Sequence, residues 1–293
     1  MQADTLVTRD GRSLAAHRFP AAGSPRAVVV LAPAMGVPQA FYAPFATGLS
    51  QQGFTVLSFD YRGMGLSRTQ PLRTETADLL TWGREDGSAA LDHAEALAGG
   101  APLLWLGHSV GGQLIPFLRE PNRLAGALLV AAGSGYWRDN AAPLKRRIRA
   151  MWWGLVPVLT PLFGYFPGAR IGAVGDLPRG VIWQWRAWCL DPNYTVGVIG
   201  KPAADAFAAV RVPLHALYFA DDEFLSRRSI ESLNAQYVNA PLRFDVIEPQ
   251  AVSEARCGHL AVFRPRFEKT IWHARFGPAL TDLATGNTAV EGP

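Results

Sequence analysis

Cysteine is scarce in this sequence, which contains only Cys189 and Cys257 among 293 residues. Two cysteines cannot form the disulfide framework of a small secreted domain, and their separation does not match the paired spacing of a zinc site. The sequence also lacks the G-x-x-x-x-G-K-[ST], G-x-G-x-x-G and H-E-x-x-H patterns that bind nucleotides or zinc. We therefore expect a protein without a metal ion or another cofactor.

Long apolar runs are absent as well. No segment reaches the roughly 18 consecutive apolar residues that suggest a membrane span. Residues 1–4 are polar and acidic and do not resemble the start of a signal peptide. We therefore expect no membrane span and a cytoplasmic location.

Charge is nearly balanced, with 28 basic and 24 acidic residues and a formal net charge of +4. Only three of the basic residues are lysines, and the densest basic run, KRRIR at 145–149, is short and isolated. A protein that binds nucleic acid usually carries a larger basic patch, so we expect no nucleic-acid partner. For the basic run we favour a solvated helix face over an anion-binding or membrane-surface site.

Apolar residues are abundant and make up 49% of the chain, which is enough for a sizeable core. Short apolar runs alternate with segments of helical spacing, and a hairpin signal at Asp10-Gly11 precedes them. The strands predicted after this hairpin are residues 27–31, 54–59, 103–106, 124–132, 214–219 and 242–247. This alternation predicts an α/β fold with a mainly parallel sheet and helices on both faces.

Residues 133–205 break the alternation, since they contain six of the nine tryptophans and no clear buried strand. We interpret this stretch as a helical cap over the carboxyl edge of the sheet. Residues 1–132 and 206–276 then form the core. The small and polar residues 277–293 are expected to be a flexible tail.

A serine between two glycines follows the apolar run 103–106, in the sequence Gly107-His108-Ser109-Val110-Gly111. A helical pattern begins directly afterwards, so the serine lies at a sharp corner between a strand and a helix. Such a corner projects the side chain out of the sheet, gives the residue a positive φ and requires small neighbours. The free N–H groups at the start of the helix lie beside the hydroxyl. The pattern therefore predicts a nucleophile elbow with Ser109 as the nucleophile.

A serine nucleophile needs a histidine base and an acid that orients this base, and here they should follow the serine in the order acid, then histidine. Asp221 and Asp222 follow the predicted strand 214–219, and His259 lies in the loop after the predicted strand 242–247. We choose Asp222 because it lies deeper in its loop; the alternative is that both aspartates only cap the next helix. None of the other five histidines lies in a loop after the last strand, which makes His259 the predicted base.

These residues resemble the α/β-hydrolase superfamily over nearly the whole chain. Residues 31–39 (LAPAMGVPQ) are similar to its oxyanion loop, residues 59–67 (FDYRGMGLS) to its turn after the fourth strand, and residues 257–265 (CGHLAVFRP) to its histidine loop. The phrase FGYFPGARIG at 163–172 is similar to a little-characterised bacterial branch, grouped with serine aminopeptidase-like and monoacylglycerol-lipase-like hydrolases. The resemblance implies an eight-stranded sheet and the chemistry of a serine hydrolase.

The oxyanion loop departs from the pattern of many family members, since Pro33-Ala34-Met35-Gly36 stands where they have His-Gly. The donor to an oxyanion is a backbone N–H, so the changed side chains need not remove it. Pro33 has no N–H and is excluded. We assign the oxyanion hole to the N–H groups of Val110 and Met35, with Ala34 as the alternative to Met35.

Asp60 and Arg62, in the turn 59–67, are further candidates for catalytic residues. They precede the serine and lie outside the expected order of the triad, so we favour a structural role for both. The nearby Gly63 and Gly65 are interpreted as positions of special backbone conformation and not as a phosphate cradle.

The predicted cap is rich in aromatic residues and poor in charge. Its candidates for binding substrate are Trp152, Trp153, Trp183 and Trp185, and packing of the cap on the core is the competing interpretation for each of them. Together they favour an apolar acyl or aromatic group in the pocket.

The sequence therefore predicts a serine hydrolase that cleaves a carboxylic ester of a small or medium apolar substrate through a Ser-His-Asp triad and an acyl-enzyme. The same triad serves acyl transfer to another acceptor, amide or peptide cleavage and C–C bond hydrolysis, so these reactions stay open as alternatives. A ligand-binding protein that keeps the fold without turnover is the alternative outside the enzymes. The expected partner is a small apolar ester, and the oligomeric state is not indicated.

Overall fold

The computed structural model describes residues 1–287, and its central feature is an eight-stranded β-sheet. The described chain forms ten strands, of which β7 and β8 make a separate short ladder. The strands are β1 (Gln2–Val7), β2 (Ser13–Phe19), β3 (Ala27–Ala32), β4 (Phe54–Phe59), β5 (Leu103–His108), β6 (Gly126–Val130), β7 (Phe166–Pro167), β8 (Asp176–Leu177), β9 (Leu214–Phe219) and β10 (Leu242–Ile247). The order in the large sheet is β1-β2-β4-β3-β5-β6-β9-β10. Strand β2 pairs antiparallel with β1 and β4, and the other pairs of this sheet are parallel. This confirms the predicted fold class.

Helices link the strands and flank the sheet. The α-helices are α1 (Ala43–Gln51), α2 (Leu79–Thr81), α3 (Ser88–Ala98), α4 (Val110–Gln113), α5 (Ala142–Ala150), α6 (Val156–Phe163), α7 (Arg179–Leu190), α8 (Tyr194–Ile199), α9 (Lys201–Ala209), α10 (Arg227–Asn234) and α11 (Gly277–Thr285). Wider, π-helical segments adjoin some of them, at Trp82–Gly87, Met151–Leu155 and Glu268–Phe276. The first of these segments joins α2 to α3 and contains Gly83 and Gly87.

Strand β3 shows how the core is divided by the sheet. Val28 and Val30 belong to the apolar core on one face, and Val29 and Leu31 belong to the core on the other face. A strand that is buried on both faces needs no polar alternation. This explains the continuous apolar run AVVVLA in the sequence.

The carboxyl ends of the parallel strands meet at one edge of the sheet. Strand β4 lies on one side of β3, whereas β5 and β6 lie on the other side, so the strand order reverses between β3 and β5. Ligand sites in open α/β sheets form outside such a switch point. Since β3 ends at Ala32 and its neighbour β5 ends at His108, the oxyanion loop and Ser109 leave the sheet side by side.

Residues 133–205 carry α5 to α8 and the first part of α9, as expected for a mainly helical segment. The boundaries of this segment as a cap stay a prediction. The expectation of no strand there is wrong in one detail. Strands β7 and β8 form a two-residue antiparallel ladder in which the fully buried Phe166 and Leu177 are paired. A ladder of this length is too short to produce an alternating pattern in the sequence.

The prediction of a flexible tail from residue 277 is wrong for the described residues. Gly277–Thr285 forms α11, whose Leu280 and Leu283 are buried in the core. A Cβ on Gly126 of β6 would lie 2.7 Å from Cδ2 of Leu283, so the helix packs closely on the sheet. Leu280 and Leu283 are three residues apart and so share one helix face. Most of the surrounding residues are small or polar, so the sequence shows no clear apolar pattern there. The remainder of the predicted tail, 288–293, lies outside the described residues.

Candidate active site

Ser109 lies at the corner between β5 and α4. Its φ of 53° and ψ of −117° fall outside the regions that residues other than glycine usually adopt. The Ser109 N–H donates to the carbonyl of Val130 at 2.9 Å, and the Ser109 carbonyl accepts from the Gly112 N–H at 3.0 Å. The backbone therefore forms the expected strand-to-helix corner, and the serine side chain is only half-buried.

Glycines allow the chain to turn so sharply here. A Cβ on Gly107 would lie 2.5 Å from the backbone of Gly112, and a Cβ on Gly111 would lie 2.2 Å from the carbonyl oxygen of Ala32. A Cβ on Gly112 would lie 2.6 Å from the Cβ of Ala132. The sequence pattern singles out Gly107 and Gly111, whereas the need for Gly112 emerges only from the packing of α4 beside β6.

Asp222 and His259 are joined by a hydrogen bond at the carboxyl edge of the sheet. Nδ1 of His259 lies 2.7 Å from Oδ2 of Asp222, and both side chains are almost fully buried. The other carboxylate oxygen accepts the backbone N–H groups of Phe224 and Leu225 at 2.7 and 2.9 Å. A carboxylate held in this way fixes the orientation of the imidazole ring and leaves Nε2 directed away from the acid.

Asp221 makes different contacts from its neighbour Asp222. Its carboxylate accepts the N–H groups of Cys257 and Gly258 at 2.9 and 3.1 Å and so shapes the histidine loop. The next helix, α10, is capped by the hydroxyl of Ser226, which accepts an N–H of the first turn. Neither aspartate is therefore needed as the cap of that helix.

Ser109 and His259 lie on loops that meet at the buried side chain of His108. The rings of His108 and His259 are 4.9 Å apart between their centroids. Within residues 1–287, neither Oγ of Ser109 nor Nε2 of His259 has a hydrogen-bond partner, so the two atoms are not bonded to each other in this structure. Both atoms are thus available to a ligand at this edge of the sheet.

Hydrogen bonds in the oxyanion loop decide whether Ala34 or Met35 is free to donate to an oxyanion. The N–H of Ala34 donates to the hydroxyl of Tyr42 at 3.0 Å and is not free. In the part of the chain that the structure describes, the N–H groups of Met35 and Val110 meet no acceptor. These two groups, one from each of the adjoining loops, remain as the candidate oxyanion donors.

A family model matches the part of the chain that carries the corner serine. The model is described as serine aminopeptidase, S33, and it covers residues 23–169, which is half of the chain. The chain belongs to this family. The match confirms the resemblance to the α/β hydrolases that the sequence suggested. Asp222 and His259 lie beyond the matched residues, and no curated protein matches the sequence.

Solved structures of esterases have the same fold as this S33 hydrolase. An esterase of Pyrococcus furiosus has a TM-score of 0.62 and 13% identity, over 96% of this chain and 90% of that one. A thermophilic esterase of Thermogutta terrifontis has a TM-score of 0.59 and 19% identity, over 97% and 100% of the two chains. The esterase domain of a Rhodothermus marinus protein has a TM-score of 0.58 and 16% identity, over 96% and 97%. At these identities the likeness shows the fold alone.

A buried chain of hydrogen bonds connects three loops of the S33 hydrolase. The hydroxyl of Tyr42, which accepts from Ala34, lies 2.7 Å from Nδ1 of His108. Nε2 of His108 lies 3.1 Å from the backbone carbonyl of His259. Burial lowers the pKa of His108 well below that of an ordinary histidine, so the ring is neutral. Since the carbonyl can only accept, Nε2 carries the proton and Nδ1 accepts the hydroxyl proton of Tyr42.

Asp60 and Arg62 hold the turn after β4, as the sequence led us to expect. The Asp60 carboxylate accepts from the N–H and the side-chain amide of Gln39 and from a third N–H in the turn. Arg62 pairs with Asp86 at 2.7 Å and with Asp10 at 2.5 Å. Burial raises the pKa of Asp86 to about 7, whereas the hydrogen bonds of Arg62 lower the pKa of Asp10 to about 2. Both residues are fully engaged within the protein.

The four candidate tryptophans of the cap do not share one environment. Trp152 is buried, and its ring meets that of Trp185 edge to face at 5.1 Å. Trp153 is 51% exposed and meets the ring of Trp137 at 5.3 Å. Trp183 is half-buried beneath an arginine guanidinium. The structure therefore brings Trp152 and Trp185 together within residues 133–205 and does not gather all four. Their role in binding substrate stays a prediction.

The two cysteines, metal-binding groups and membrane-spanning helices were also considered from the sequence. Cys189 and Cys257 are free and buried, and burial raises the pKa of Cys257 to about 11. Within residues 1–287, no group of three His, Cys, Asp or Glu side chains is arranged to hold a metal ion. None of the helices in the described chain combines the length and the apolar character that a membrane crossing requires.

Proposed function

We propose that this S33 hydrolase cleaves a carboxylic ester of a small or medium apolar substrate, with Ser109 as nucleophile and His259 as base. The observation that carries the proposal is the buried 2.7 Å hydrogen bond between His259 Nδ1 and Asp222 Oδ2. The two residues follow β10 and β9, in the order and at the sheet edge that a Ser-His-Asp triad requires. The strained backbone of Ser109 supports the same assignment, because strain of this kind concentrates at functional sites.

In the proposed reaction, Oγ of Ser109 attacks the ester carbonyl as its proton passes to Nε2 of His259. Asp222 stabilises the imidazolium that forms, and the N–H groups of Met35 and Val110 bind the oxyanion. Each such donor contributes about 3 kcal/mol to transition-state stabilisation. The tetrahedral intermediate expels the alcohol, which takes the proton from His259. Water then attacks the acyl-enzyme with His259 again as base and releases the carboxylic acid.

An ester is favoured over a peptide by the composition of the cap. An aminopeptidase must recognise a free amino group, for which a carboxylate is the natural partner. The predicted cap, 133–205, contains four aspartates and no glutamate, and none of the aspartates lies within 140–175. Three of the four, Asp139, Asp176 and Asp205, already pair with basic side chains, so they form no acidic cluster for an amino group. The names of the structural neighbours given above, all of them esterases, support the same choice.

Labelling with a fluorophosphonate probe tests the proposal, because only an activated serine reacts with it. We expect the wild-type protein to be labelled, and we expect Ser109→Ala and His259→Gln to lose the label. A chain-length series of p-nitrophenyl esters then measures the acyl preference, with aminoacyl p-nitroanilides as the peptidase arm. Labelling that persists in Ser109→Ala, or faster turnover of the anilides than of every ester, would contradict the proposal.

A further inference from the structure

A continuous helix formed by residues 142–163 exposes an apolar face. It consists of α5, the π-helical turn and α6. Its inner face places Trp152 and Val156 in the core. On the outer face, Leu155, Val158 and Leu162 are 39%, 63% and 73% exposed. Large apolar side chains that share one exposed helix face are typical of an interaction surface.

The charged residues of this helix, which we call the docking helix, are all basic. Residues 140–175 contain five basic residues and no acidic residue. Four of them, at 145, 146, 147 and 149, lie in the first half of the docking helix and are exposed. In the described chain none of these four has a carboxylate within ion-pair distance. An amphipathic helix with unpaired cations beside its apolar face is complementary to an anionic lipid surface.

Tryptophan side chains lie between the cationic and the apolar halves of the docking helix. Trp153 is half-exposed and meets the ring of Trp137. The guanidinium groups of Arg138 and Arg149 lie 5.1 and 5.8 Å from the Trp137 ring. Tryptophan prefers the boundary between water and hydrocarbon, and arginine binds phosphate. The tryptophan and arginine side chains between the two halves of the docking helix therefore suit the headgroup region of a bilayer.

We propose that the docking helix lies in the plane of an anionic lipid surface, with Leu155, Val158 and Leu162 inserted and the basic residues against the phosphates. This changes the interpretation of the basic run, which the sequence alone favoured as a solvated face. From the sequence alone, Leu155, Val158 and Leu162 could not be distinguished from neighbouring apolar residues that pack into the core. The proposal does not depend on the reaction at Ser109.

Co-sedimentation with lipid vesicles tests the proposal on the full chain. The probes are vesicles of phosphatidylcholine alone and of phosphatidylcholine mixed with phosphatidylglycerol. We expect binding to the mixed vesicles that weakens with added salt, because salt screens the charges. Changing Arg146→Gln and Arg147→Gln should weaken this binding by about fivefold per charge. A variant with Leu155→Ser, Val158→Ser and Leu162→Ser should lose it altogether.

A matched control removes the same number of exposed apolar side chains elsewhere. The control variant carries Val238→Ser, Phe244→Ser and Val246→Ser, in and before the edge strand β10, and should bind vesicles like the wild type. Hydrolysis of a short, water-soluble ester should be equal in all variants, which separates this proposal from the proposed function. A wild-type chain that stays in the supernatant with both vesicle types, or a control that loses as much binding as the docking variant, overturns it. Gel filtration that shows self-association without vesicle binding, abolished in the docking variant, would assign the face to a second copy instead.

Discussion

The hydroxyl of Tyr42 lies 2.7 Å from Nδ1 of His108, and this contact ties the oxyanion loop to the strand that precedes Ser109. Tyr42 reaches the loop through the N–H of Ala34, and His108 reaches the histidine loop through the carbonyl of His259. Both side chains are fully buried. The three loops that would hold the nucleophile, the base and the oxyanion donor are thus joined by one set of hydrogen bonds.

The first prediction concerns Tyr42→Phe, which removes only the hydroxyl of this set. The Ala34 N–H and Nδ1 of His108 both lose their partner, so the oxyanion loop can shift relative to the serine. Since a displacement of less than an ångström is enough to weaken transition-state contacts, we expect kcat on a p-nitrophenyl ester to fall about tenfold with little change in KM. Steady-state kinetics measures both constants.

Tyr61→Phe is the matched control for this prediction. Tyr61 is also fully buried, but its hydroxyl has no hydrogen-bond partner in the described chain. We expect wild-type kcat for this variant. An equal loss of kcat in the two variants would show that the effect of Tyr42→Phe is one of general stability and not of loop position.

A second prediction follows from the neutral, buried ring of His108. Its pKa is lowered by burial, so an unfolded chain binds a proton that the folded chain does not bind. The resulting stabilisation is fully present above the unfolded pKa of about 6.5 and is lost as the pH falls towards the lower folded value. Within that window, we expect His108 to lower the free energy of unfolding by about 1.4 kcal/mol for each unit that the pH falls.

Urea titrations between about pH 7 and about pH 5 measure this dependence. Burial lowers the pKa of His215 as well, so wild type must be compared with His108→Gln, which cannot titrate at this position. The variant should lose part of the pH slope, whatever its stability at neutral pH. An unchanged slope in His108→Gln would mean that His108 does not contribute to it.

The sequence predicted the sheet and the corner at Ser109 from local patterns, whereas Asp222 and His259 were predicted from the chain order expected for a triad. Apolar runs mark the strands, and Gly107 and Gly111 mark the corner at Ser109. The contact between Tyr42 and His108 could not be predicted in this way, since the two residues are distant in the chain and meet only through the strand order. The helix after residue 277 was missed for a related reason, because its few apolar residues become a buried face only against β6.

A third prediction separates the two aspartates after β9. Asp222 carries the hydrogen bond to the imidazole, so Asp222→Asn should leave the fold intact and lower kcat by about 10⁴-fold, as the ring loses its orienting charge. Asp221 contacts only the backbone of the histidine loop, so Asp221→Asn should cost far less activity. Kinetics of the two variants on one ester, with circular dichroism to check folding, decides between them. A larger loss in Asp221→Asn would reverse the assignment of the acid.

The last prediction concerns the tight packing of the corner. The Cβ of Gly111→Ala would meet the carbonyl oxygen of Ala32, which belongs to the backbone of β3 and cannot move aside. We expect the free energy of unfolding to fall by about 1–3 kcal/mol, and ester hydrolysis to fall with it because the oxyanion loop begins at that strand end. Gly154→Ala is the matched control, since a Cβ there meets no atom within 4 Å and alanine favours a helix. Thermal unfolding should show a lower Tm for Gly111→Ala and an equal or higher Tm for Gly154→Ala; equal Tm values for both variants would mean that the corner relaxes more easily than its contacts indicate.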